Sequence, residues 1–330
     1  MSQKVRKFVS REFANTVDLD LLARFLAPFA DEIGFDWNSL PEDDRERRDA
    51  IFEFFRGADD RFPAELQNAL HCARVLSTDN GSRLLREQAD LRGVSLVDDD
   101  EALGEADGRH LTPRHLALRA YLDHRDIFYR AVDIAALWSV SSPLERSGAR
   151  EGVACRHDDE AAREAFRSAA SEYFASRYNG RYCDVRWYPD DEEIGILVLH
   201  GKNPRVANVE DGGRESTLSY REIAEDTIRY HAASGRVKIG SANKTDAQKL
   251  LELFATHLIG DVDFFAGDDS DRLYTLAPIR QQGAAFRFRY EWDDEVASVR
   301  VREIQVDEGE HEVNGRVRFS PWAMTVRDSE

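Results

Sequence analysis

A basic-x-basic triplet recurs in this chain as Arg236-Val237-Lys238, Arg287-Phe288-Arg289, Arg300-Val301-Arg302 and Arg316-Val317-Arg318. Strand residues alternate between two faces, so each copy predicts two cations on one face and apolar groups on the other. Guanidinium recognises phosphate and carboxylate through planar, bidentate hydrogen bonds. If the strands are neighbours, they form a cationic face suited to an acidic protein surface or to nucleic acid. Phe286, Phe288, Tyr290 and Trp292 alternate with Arg287 and Arg289, and the acidic turn Asp293-Asp294-Glu295 leads on to Arg300 and Arg302. The competing reading is an ordinary polar strand face, with Glu291, Glu303 and Asp307 as cross-strand partners.

Two smaller sets suit metal chemistry. His257, Asp261 and Asp263 follow a helical pattern as His-x-x-x-Asp-x-Asp, three hard ligands for a divalent cation. His257 also falls on the apolar stripe of its helix and in its last turn, where a histidine caps or packs. Asp190 precedes His200 and Lys202 by ten and twelve residues, a weak version of the acid, acid-x-Lys arrangement that holds Mg²⁺ beside a phosphate. Here His200 replaces the second acid, and Asp190 stands where a hairpin turn favours aspartate. Cys155 and His157 form half of a zinc pattern that no second pair completes. The phosphate-binding and nucleophile-elbow glycine motifs are missing from the sequence, and nothing in it implies a cofactor.

The elements that must position these groups fall into two halves. Residues 1–150 read as helical and residues 151–330 as an α+β domain with a largely antiparallel sheet. Asp18 caps a helix with Leu21, Leu22, Phe25, Leu26 and Phe29 on one stripe, and Pro28 bends or ends it. Pro41 and Pro63 open further helices, Asp79-Asn80-Gly81 reads as a turn, and Thr112-Pro113 starts a helical stretch reaching Trp138 in one piece or two. After Asp159 opens another helix, the period switches to two. Residues 182–188 and 194–199 form one predicted hairpin, and 228–231 with 237–239 a second. Residues 203–216 read as a loop and Thr245 as a helix cap. Four short strands are expected near 272–277, 285–292, 296–306 and 313–319.

Composition bounds the function. The 330 residues carry 63 acidic and 45 basic side chains, net -18, which disfavours general attraction to nucleic acid or anionic membranes. Residues 201–250 run the other way, with nine basic residues against seven acidic. Only six of the basic residues are lysines, a bias that reads as genomic. Three scattered cysteines suit reduced thiols, and no apolar run is long enough to span a bilayer. These features predict a cytoplasmic, prokaryotic interaction or regulatory subunit with a protein partner or a second copy of itself, and with nucleic acid as another ligand class. The alternatives are a metal-dependent nuclease or hydrolase, and an acidic nucleic-acid mimic.

Overall fold

The computed structural model describes residues 11–57, 62–96, 112–190, 193–211, 213–267, 270–271, two C-terminal strands and a few isolated positions between. The chain divides into two compact units, Met1–Asp271 and Arg272–Glu330. The architecture is α+β, with the helices mostly N-terminal and the strands antiparallel.

The first unit begins with α1 (Arg11–Thr16), α2 (Leu19–Leu26), α3 (Ala30–Ile33), α4 (Asp44–Gly57), α5 (Ala64–Leu76), α6 (Asp79–Asp90), α7 (Pro113–Asp123) and α8 (Arg125–Trp138). Their starts follow the expected cap chemistry. The Asp18 carboxylate accepts from the Leu21 N–H at 2.9 Å, and Thr112 caps α7 ahead of Pro113. A break at His124 divides the stretch up to Trp138 into two helices. Phe25, Ile51, Leu70, Leu85, Tyr121 and Phe128 share one buried core.

Asp79-Asn80-Gly81 is the first turn of α6, not the expected turn. Thr78 caps it by accepting from the Gly81 N–H at 3.0 Å. A Cβ on Gly81 would lie 2.3 Å from the Leu76 carbonyl oxygen, so the glycine allows a close approach of the chain.

The sheet order is β1-β7-β6-β3-β2, from β1 (Leu144–Ser147), β2 (Cys183–Pro189), β3 (Glu193–Gly201), β6 (Ile223–His231) and β7 (Arg236–Gly240). Both predicted hairpins are present, paired as Cys183↔His200 to Pro189↔Ile194 and as Thr227↔Gly240 to His231↔Arg236. β1 lies where the sequence pattern lapses. Its four residues are only half-buried, which leaves no alternation to read.

One face of the sheet (Ile196, Val198, Ile228, Ile239) packs against α9 (Glu160–Ser176) and α10 (Lys244–Phe254). The other brings Leu197, Leu199 and Tyr188 against Leu137 of α8. The sheet is thus layered between helices on both sides. Asn243, not Thr245, caps α10, which runs on as a π-turn over Ala255–Ile259 and stops at left-handed Gly260.

The expected loop over 203–216 is a two-stranded arm, β4 (Arg205–Asp211) and β5 (Arg214–Tyr220), whose last pair is Asp211↔Arg214. Its strands lack clean alternation because most of the residues are exposed.

The second unit contains a hairpin of β8 (Glu303–Val313) and β9 (Arg316–Thr325), with a register shift between Asp307 and Glu310. It carries the last two of the four expected strands further toward the C-terminus. The other two lie almost wholly outside the described residues.

Candidate functional site

The triplet copies are not brought into one described sheet. Arg236 and Lys238 sit on β7, where Val237 and Ile239 fill the core and the basic pair takes the opposite face. Lys238 faces Glu145 across the β1–β7 pair, with Nζ 3.6 Å from the carboxylate. Next to it, Arg229 makes a bidentate contact with Glu193 and stacks over Trp138 at 3.4 Å from the ring centroid. Carboxylates therefore match Lys238 and Arg229 on this face. Arg316 and Arg318 lie on β9, opposite Val313 and His311. Arg287, Arg289, Arg300 and Arg302 lie outside the described residues.

Asp190 accepts the role the turn predicts: its N–H donates to the Glu193 carbonyl at 2.9 Å, closing the β2–β3 hairpin. His200 pairs with Cys183 at the far end of that hairpin, six residues along the strand, or roughly 20 Å away. Lys202 is bound to Glu222 at 3.1 Å. The three are not assembled into one site.

His200 is held tightly. It stacks on Phe174 with centroids 3.5 Å apart and planes 7° apart. Nδ1 meets the Gly201 carbonyl oxygen at 2.8 Å, and Nε2 meets Asp226 Oδ2 at 3.0 Å. Both ring nitrogens are thus occupied. Asp226 is itself buried, and it lies on β6, 26 residues from His200, a separation at which no sequence spacing signals the pair. Cys183 stands across the strand pair, but burial pushes its thiol up to about 11, away from the reactive thiolate. A His–Asp pair with no free nitrogen and an inert neighbouring thiol is a packed polar core, not a nucleophile and its base.

His257 lies in the π-turn after α10, half-buried, and burial followed by the nearby Arg156 charge lowers its pKa. Arg156 donates to its backbone carbonyl at 2.5 Å. Asp261 turns to Arg150 at 3.7 Å and accepts from the Asp263 N–H at 3.2 Å. Among the described residues no group of three His, Cys, Asp or Glu side chains is placed to hold a metal ion. Cys155 is likewise pushed up to about 12 by burial, and His157 Nδ1 is engaged by the Cys155 carbonyl.

Two further polar clusters escaped the sequence reading. On α8, Asp133 accepts from the Tyr188 hydroxyl and, at 2.9 Å, from Arg186, both on β2. Burial and then this hydrogen bond raise the Tyr188 pKa. On the opposite side of the sheet, the Tyr173 hydroxyl donates to buried Asp246 at 2.6 Å. Burial first, then Asp246, pushes that phenol up to about 12. Each cluster joins two elements and is closed by its own partners.

No known family model matches this chain, and no curated protein is significantly similar to it. Among the described residues no helix is long and apolar enough to cross a membrane.

Proposed function

We propose that the chain is a non-enzymatic interaction or regulatory subunit of a prokaryotic cytosolic complex, and that its C-terminal Arg-x-Arg hairpin contacts an acidic surface on a protein partner. The supporting observation is a difference in register. Lys238 stands opposite Glu145, whereas Arg316 stands opposite Val313 and Arg318 opposite His311. Directly opposed pairs are the strongest neutralising positions in an antiparallel ladder. No carboxylate occupies the directly opposed β8 positions in this register, which favours an outside acid as the partner of these two arginines. The other two copies, at Arg287, Arg289, Arg300 and Arg302, extend the pattern in sequence. A net charge of -18 favours an acidic protein patch that needs local contacts over the general attraction that nucleic acid requires.

The test is a pull-down with the tagged full-length chain and with the R316S/R318S variant, stained for protein and for nucleic acid. A stoichiometric protein lost from the variant supports the reading. Retention of that partner at the wild-type level overturns it. A nuclease-sensitive ligand would transfer the role to nucleic acid.

A further inference from the structure

We propose that the β4–β5 arm pairs with the same arm of a second copy of this chain, β4 against β4, about a two-fold axis at Asn208. The arm is a separate two-stranded ribbon, and among the described residues neither outer edge meets another strand. Isolated two-stranded ribbons are marginal in water, and their unpaired edges template further strands. Val206 and Leu218 leave 70% and 49% of their surface exposed, so apolar area is also unspent.

The closing pair Asp211↔Arg214 brackets two glycines, the arrangement of a two-residue hairpin loop. Pairs then alternate along the ladder, so Asp211, Ala207 and their alternates bond to β5, while Val206, Asn208 and Glu210 turn their N–H and C=O groups outward.

An antiparallel copy centred on Asn208 uses all three outward residues and overlaps the full seven-residue strand. It sets Asn208 against Asn208 and Val206 against Glu210. At the closer, non-hydrogen-bonded positions it sets half-buried Ala207 against half-buried Val209, and Arg205 against Asp211, each twice by symmetry. Opposite charges therefore close both ends. Centring β5 on Thr217 instead places Arg214 against Tyr220 and Glu215 against Ser219, with no opposite-charge pair. Charge complementarity selects β4. Arg205 contacts Glu222 at 3.1 Å within its own chain, and Lys202 holds the same carboxylate at 3.1 Å, so Glu222 keeps a cation when Arg205 turns to the partner.

The experiment is sedimentation of the full chain and of two charge reversals, R205D and D211R, alone and mixed. Each variant alone sets like charges at both ends, and self-association weakens by about tenfold. Mixed, they restore both opposite pairs as a heterodimer, which also shows that each was folded. N208P, which removes an outward N–H and spares the β4–β5 ladder, also weakens the dimer. A wild-type chain that is monomeric at every concentration overturns the proposal. So does a dimer indifferent to either reversal, or a failure of the mixture to recover association. The Arg316 and Arg318 positions take no part, so R316S/R318S leaves this dimer intact and its result stands apart from the partner test.

Discussion

The Asp226 carboxylate lies 3.0 Å from His200 Nε2, and both side chains are buried beneath α9, with Phe174 stacked on the imidazole. This contact spans β3 and β6, where His200 and Asp226 are offset along neighbouring strands. It converts the residue most suggestive of catalysis into a brace between strands.

Breaking that brace from one side leaves a buried polar group without its partner. D226A should cost about 3–5 kcal/mol, whereas replacing both residues with apolar ones should cost clearly less than the two single changes together. Urea unfolding of the two single variants and the double variant reads this directly. Additive losses would show that the pair does not act as a unit.

Asp133 ties α8 to β2 through Tyr188 and Arg186. Y188F removes one hydrogen bond to a charged acceptor and should cost about 1.5–3 kcal/mol. D133A should cost more, since it strips both contacts, although Arg186 keeps Asp184 at 3.0 Å. In the double variant the losses should fall short of their sum, because the hydroxyl and the carboxylate share one bond. The denaturant midpoints of the three variants decide this.

Much of the fold was legible because its helices bury one stripe and open on recognisable caps. The caps at Asp18 and Thr112 follow from local chemistry, and β3 follows from an apolar run that is buried on both faces. The arm was not legible: β5 is exposed along almost its whole length and β4 half-buries only Ala207 and Val209, so no strong burial rhythm marks it as strand. The polar clusters were invisible for another reason. Asp226, Asp133 and Asp246 gain meaning only from partners 26 to 73 residues distant. The triplets were found, but register decides their neutralisation, and sequence does not give register.

Stability should fall as the solution is acidified below neutral. His71 has its pKa lowered by burial and by Arg74, opposed in part by Glu225, and His257 by burial and Arg156. Both bind protons less readily folded than unfolded. The unfolded chain therefore takes up more protons near its histidine pKa of 6.5, and stability drops as pH falls through that value toward the folded pKa. Below the folded pKa this contribution becomes constant. Melting temperatures at pH 7.5 and 5.5 should differ in that direction, and H71Q/H257Q should narrow the gap. An unchanged gap in the double variant would assign it to other groups.

Gly81 gives a prediction whose sign separates two explanations. If helix propensity ruled, G81A in α6 would stabilise by about 0.5–1 kcal/mol, since glycine is the poorer helix former. The added methyl would instead meet Leu76 backbone atoms at 2.3–2.6 Å, and backbone cannot swing aside as a side chain can. Relieving that overlap means moving α6 away from the end of α5, against the packing of Leu84 and Leu85 in the helical core. The expected outcome is a loss of about 1–3 kcal/mol, as for other overpacked sites. Urea unfolding of G81A reads the sign, and a gain would mean that the two helices can separate at little cost.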